Sequence, residues 1–207
     1  VPAEGRVIYT MTPFALDRNL GAAYNDAMAL LPADAWACFV DHDAMQTTRE
    51  WYRVLHEAVT FLPASGAFVA VTNRIDAPWQ RAQEADPDNH EIGYHTSIGT
   101  ARLKTRTLLD ITDTKGFGGV CFALSKAAWL EAGGFANGLL CVDHSIHFRL
   151  RAAGRRIYLL ENLYCYHRRR AFVGPLPADT PRAENCPCRG PEPMPTERIP
   201  LPEAVIV

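Results

Sequence analysis

Short apolar runs alternate along the chain with amphipathic stretches. RVIYTM, from Arg6 to Met11, predicts a buried strand ended by Thr12-Pro13. Leu20, Tyr24, Ala27, Met28 and Leu31 fall on one helical face, with Asp17 as a cap and Pro32 as the stop. AWACFV, from Ala35 to Val40, predicts a second buried strand running into Asp41-His42-Asp43. Thr47 and Glu50 have the spacing of a capping box, and the helix behind them buries Trp51, Leu55, Ala58, Val59 and Leu62. AFVAVT, from Ala67 to Thr72, predicts a third strand. From Asp76 to Lys115 the pattern turns polar, broken by Pro78, Pro87, Gly93 and Gly99, with a helix expected around Thr100 to Leu109. A connection this long predicts a functional loop. Gly116-Phe117-Gly118-Gly119 then leads into a strand from Val120 to Leu124. Ser125 caps a short helix ended by Gly133-Gly134, and a helix from Val142 to Ala153 is stopped by Gly154. Arg156 to Leu160 and Leu163 to Tyr166 are the last strands. Strands alternating with helices predict an α/β sheet covered on both sides.

Composition adds limits. The 207 residues are 48% hydrophobic and 21% charged, so a folded domain is expected rather than a disordered chain. A net charge of -2 gives no basic excess for nucleic acid. No apolar run approaches the roughly 18 residues of a membrane helix, and VPAEGRVIYT has no signal pattern, so a cytoplasmic location is expected. Nine of the 15 prolines lie between Pro175 and Pro202, which divides the chain into a domain over 1–173 and a Pro-rich extended tail over 174–207. Cys38, Cys121, Cys141 and Cys165 sit in apolar segments and are expected to be buried thiols. Cys186 and Cys188 offer only two of the four ligands a structural zinc needs.

The chemistry starts at Asp41 and Asp43. Ligands of open α/β sheets bind at the carboxyl ends of strands, and two acids one residue apart at such an end can converge on one hard cation. A second match, Asp86-Pro87-Asp88, lies in the polar stretch and reads as a turn. Trp51 and Trp129 fall at apolar helical spacing and read as core.

Further residues follow in a set order. Asn19-Leu20-Gly21-Ala22-Ala23-Tyr24-Asn25 precedes Asp41-His42-Asp43. Gly118-Gly119, then Leu130 to Phe135 (LEAGGF), then Val142-Asp143, Phe148-Arg149-Leu150 and Gly154 come later, and Tyr166-His167 closes the set. This series resembles a GT-A fold, family-2-type glycosyltransferase, over about Arg6 to Arg170. The resemblance implies a single GT-A sandwich, that of the nucleotide-diphospho-sugar transferases, with a mixed, mostly parallel central sheet. It implies transfer of a sugar from a nucleoside-diphosphate sugar, a UDP- or GDP-sugar, to the hydroxyl of an acceptor it does not identify.

On that resemblance, Asp41 and Asp43 match the acids that hold a metal, Mn2+ or Mg2+, and His167 matches the histidine that completes its shell. Asp143 matches the general base of inverting members. Val142 stands where the family often has Glu, and Ser145 where a further acid is common. Thr10, Thr12, Arg18, Asn25, His42, Gly118 and Gly119 become donor-site candidates, with Arg168, Arg169 and Arg170 as phosphate contacts. Only one strand precedes the NLGAAYN segment, where the family usually has two that read the base. Asp76 to Lys115, with His90, His95 and Lys104, is the candidate acceptor lid. Two other readings stand beside this one. A catalytically inactive GT-A-like binding module would use the Pro-rich tail for contacts. A nucleotidyltransferase is disfavoured, because no glycine lies between the first strand and Gly21 to form a phosphate loop.

Overall fold

The computed structural model describes residues 6–168, 179–180, 183 and 193–202. Its strands are β1 (Ile8–Met11), β2 (Trp36–Val40), β3 (Ala44–Gln46), β4 (Ala67–Thr72), β5 (Thr107–Asp110), β6 (Cys121–Ser125), β7 (Ile157–His167) and β8 (Arg198–Pro200). Its helices are α1 (Leu20–Ala29), α2 (Trp51–Phe61), α3 (Ile92–Arg102), α4 (Lys126–Glu131) and α5 (Val142–Ala152), with a 3-10 turn over Pro78–Gln80. The strands form one open sheet in the order β1-β2-β6-β4-β7-β5-β8, and β3 pairs with β7. The architecture is α/β with a mixed sheet, compatible with a Rossmann-like arrangement.

The sheet is not mostly parallel, contrary to expectation. Of the seven strand pairings among the described residues, only β1–β2 and β4–β7 are parallel, and five are antiparallel. A parallel pair needs a long crossover, which α1 supplies between β1 and β2. Strand β6 instead enters between β2 and β4 in the opposite sense, and β5 and β8 continue antiparallel from β7.

Alternation along the strands sends side chains to two cores. Ala37 and Phe39 join Tyr24, Met28, Ile146 and Leu150 under α1, α4 and α5. Trp36 and Cys38 join Val54, Leu55, Ala58 and Val59 of α2. Strand β4 is buried at every position, which is why its run is continuously apolar up to Thr72. Tyr24 meets Phe39 edge-on at 4.7 Å and stacks on Phe135 at 4.8 Å, while Phe39 lies 5.2 Å from Phe122. Truncating such a ring costs about 3–5 kcal/mol. This cluster lies two residues from Asp41, so it fixes the end of β2.

Local details differ from expectation where tertiary contacts decide. Asn19, not Asp17, caps α1: its side chain accepts from the Ala22 N–H at 3.2 Å, and Asp17 accepts from the Asn19 N–H at 3.0 Å. No capping box opens α2, because the Thr47 hydroxyl turns away to the Tyr164 carbonyl at 3.5 Å. In the polar stretch the helix falls earlier, as α3, and residues near 107–110 are strand, because Leu108 and Leu109 are buried beside β7. The two expected last strands are one, β7, whose register against β4 shifts between Ala70 and Val71.

Part of the Pro-rich stretch belongs to the sheet. β8 pairs with β5, placing Ile199 opposite Leu108 and Pro200 opposite Thr107. An edge strand tolerates that proline because one row of its N–H groups faces away from the ladder. The Ala183 N–H donates to the Leu140 carbonyl at 2.7 Å, and Ala183 is buried. Cys38, Cys121 and Cys165 are free and buried, as expected. Cys141 is not a buried thiol: it is disulfide-bonded. It sits half-buried at a left-handed turn, φ 63°, ahead of α5. Cys186 and Cys188 lie outside the described residues. No described helix is long and apolar enough to cross a membrane.

Candidate metal and donor site

Three chain segments deliver the site. β2 ends at Val40, and a tight turn closes with the Ala44 N–H on the Asp41 carbonyl at 3.0 Å. That turn carries Asp41, His42 and Asp43. β7 ends on His167, which pairs with Ala44 of β3, and the Arg168 N–H donates to the Asp43 carbonyl at 2.9 Å. The ladder therefore brings residues 43 and 167 together across more than a hundred positions of sequence. Asp41, Asp43 and His167 each offer a ligand atom, and these atoms lie within 4.8 Å of one another. His167 Nε2 is 3.5 Å from Asp43 Oδ1, with side chains only 11% and 10% exposed.

The imidazole is oriented from behind. His167 Nδ1 lies 2.8 Å from the Arg74 carbonyl, which can only accept, so Nδ1 carries the proton. Nε2 is then left to face the carboxylates with its lone pair, the arrangement a metal-binding histidine needs. Asn73, fully buried, clamps the same residue: its Oδ1 accepts from the His167 N–H at 2.8 Å, and its amide donates to the His167 carbonyl at 3.1 Å.

Asp41 shows what the crowding costs. Its carboxyl is pushed up to about 8, first by burial, then by the negative charges of Asp43 and Asp143, then by Cys121. A divalent cation among these groups would reverse that penalty. Two carboxylates and one neutral imidazole are a donor set that could hold such an ion.

Asp143 stands in the first turn of α5, where the helix dipole favours an anion. Its Oδ2 accepts from the Gly119 N–H at 2.8 Å, and its Oδ1 from the His144 N–H at 2.8 Å. Its charge reaches Asp41, and both acids raise the buried Tyr24 phenol after burial itself. Asp143 thus belongs to the same electrostatic site as the Asp41–Asp43–His167 group.

The other candidates separate. His42 is exposed between the two acids, and Arg168 is exposed directly after His167. Thr10 and Thr12 are exposed at the end of β1. Arg18, at φ 60°, donates to the Thr180 hydroxyl at 2.7 Å. Asn25 is a strut: its amide donates to the Phe135 carbonyl, and its Oδ1 accepts from Phe135 N–H and Trp129 Nε1. Gly118 and Gly119 lie against Gln80 and Asp143. Arg169 and Arg170 lie outside the described residues. Within the polar stretch, His95 is fully buried between the Tyr164 hydroxyl at 2.7 Å and the Asn89 carbonyl at 2.8 Å, pinning α3 to β7. Asn73, the Arg74 carbonyl and Gln80 were not legible as site residues, since each acts through contacts distant in sequence.

No protein-family model matches the chain, and no curated protein matches it.

Proposed function

We propose that the chain is a metal-dependent glycosyltransferase of the GT-A type, moving a sugar from a nucleoside-diphosphate sugar to an acceptor hydroxyl. The observation that carries this reading is the meeting of Asp41, Asp43 and His167 at strand ends, with Asp143 inside their field. Asp41, Asp43 and His167 would hold Mn2+ or Mg2+. Such an ion, when bound, acts as a Lewis acid that neutralises charge on a departing nucleoside diphosphate. The protein's own groups do the rest. Asn73 and the Arg74 carbonyl hold His167 in the ligating tautomer. Arg168 offers a guanidinium to the diphosphate, and Thr10 and Thr12 face the nucleoside. Asp143, at the start of α5 with two backbone N–H donors on its carboxylate, takes the proton of the attacking hydroxyl.

One observation favours a second reading, a catalytically inactive binding module of the same fold. Both Asp143 oxygens already accept backbone bonds, as a purely structural helix-terminal acid would. A hydrolysis screen over UDP- and GDP-sugars with Mn2+ separates the two. The enzyme reading expects turnover that Asp43→Ala abolishes. Absence of turnover with every donor, alongside Mn2+-dependent nucleotide binding, would establish the module instead.

A further inference from the structure

The geometry points to Gln80 as a positioning residue for Asp143, acting through the Gly118–Gly119 backbone. The inference rests on the reading of Asp143 as general base given above.

Gln80 is fully buried at the end of the 3-10 turn, in a stretch otherwise rich in exposed polar residues. All of its amide's main bonding capacity is directed at backbone. Its Oε1 accepts from the Gly118 N–H at 2.8 Å, and its Nε2 donates to the Gly118 carbonyl at 2.9 Å and to the Ala70 carbonyl at 3.2 Å. The side chain thus pairs with Gly118 in both directions, as a neighbouring strand would, while its second N–H ties the pair to β4. The turn is itself anchored to β4, since the Ala82 N–H donates to the Thr72 carbonyl at 2.9 Å. The next residue after this clamp, Gly119, donates its N–H to Asp143 Oδ2 at 2.8 Å.

The fit leaves no slack. A Cβ on Gly118 would come within 2.2 Å of Ile75 Cδ1, and one on Gly119 within 3.1 Å of Asp143 Cβ. The two glycines are therefore explained by close approach, to the turn on one side and to the acid on the other. The Gln80 amide holds the Gly118 backbone on both its N–H and its carbonyl, and so sets the height of the Gly119 N–H over Asp143. The Gly118 carbonyl that Gln80 holds and the Gly119 N–H that meets Asp143 belong to one peptide unit, so a shift of the clamp is felt directly at the carboxylate.

Gln80→Met keeps the volume and removes all three bonds. Gln80→Glu keeps the shape and the acceptor for Gly118, losing the donors, and serves if the first variant does not fold. Two readouts apply. Amide hydrogen exchange at Gly119, read by NMR without any substrate, should accelerate at least tenfold in either variant while β2 and β7 amides stay protected. In transfer assays with UDP- or GDP-sugar and Mn2+, kcat should fall about 10- to 100-fold, with KM for the donor changed by less than about twofold. In an Asp143→Asn background the same substitution should change the residual rate by less than about twofold, because the path runs through the acid. Unchanged exchange at Gly119, or losses that simply multiply in the double variant, would overturn the inference. If the unmodified protein shows no transfer, the functional reading fails, and the exchange measurement alone decides whether Gln80 sets the Gly119–Asp143 contact.

Discussion

Asn25→Ala separates a strut from a donor contact. The Asn25 amide donates to the Phe135 carbonyl at 3.0 Å, and its Oδ1 accepts from the Phe135 N–H at 2.8 Å and from Trp129 Nε1 at 2.9 Å. These bonds tie α1 to the Gly133-Gly134-Phe135 turn after α4. Gly134, at φ 77°, has its missing Cβ position only 2.7 Å from Asn25 Oδ1, so the turn is built around this side chain. Each bond contributes about 1 kcal/mol net, and groups left partly buried without a partner cost more. The sum is about 3 kcal/mol. For a chain of this size each 1 kcal/mol shifts Tm by roughly 2–4 °C, so a fall of about 6–12 °C is expected. The assay is thermal unfolding by circular dichroism, paired with calorimetric titration of UDP and GDP in Mn2+. Nucleotide affinity should stay within about threefold of the unmodified protein, an energy difference below 1 kcal/mol. A Tm change under about 2 °C with a tenfold loss of nucleotide affinity would refute the strut and make Asn25 a donor contact.

Asp143→Asn should retain Mn2+ and nucleotide binding and lose transfer by about 100-fold or more; transfer near the original rate would reduce Asp143 to a helix-terminal acid. Reducing the Cys141 disulfide should cost about 2–4 kcal/mol in urea unfolding, and Cys141→Ser should show the same stability with no further response to reductant. His147 is buried with Nε2 on the Thr112 carbonyl at 3.1 Å, and burial holds its imidazole down at about 4. The unfolded chain, near 6.5, binds the proton more readily, so this contribution is present above pH 6.5 and lost as pH falls toward 4. The loss is about 3 kcal/mol, and urea unfolding between pH 7 and 4.5 should show a slope that flattens in His147→Gln.

The legible parts of the fold are those where local pattern and tertiary demand agree. The AWACFV and AFVAVT runs are strands because both of their faces are covered, and α1, α2 and α5 follow their apolar faces. The Asp76 to Lys115 stretch resisted reading because its burial depends on partners elsewhere. Helix α3 looks broken at Gly99, yet a Cβ there would fall 2.4 Å from Thr47 Oγ1, so the glycine is a packing contact rather than a stop. His95 looks like a polar surface residue until Tyr164 and Asn89 bond both of its nitrogens. β8 hides among prolines because only an edge position admits Pro200. At the site, the acids and His167 announce themselves by lying at strand ends. The groups that hold them, Asn73, the Arg74 carbonyl and Gln80, carry no local signal, since an amide becomes a clamp only when the fold presents a backbone to it.

Calorimetric titration of UDP and GDP, with and without Mn2+, decides whether Asp41, Asp43 and His167 form a metal-dependent nucleotide site. Mn2+ should bind the protein alone, at least one of the two nucleotides should bind at least tenfold more tightly in its presence, and Asp43→Ala should remove both effects. Nucleotide binding that ignores Mn2+, or that survives unchanged in Asp43→Ala, would contradict that reading of the site.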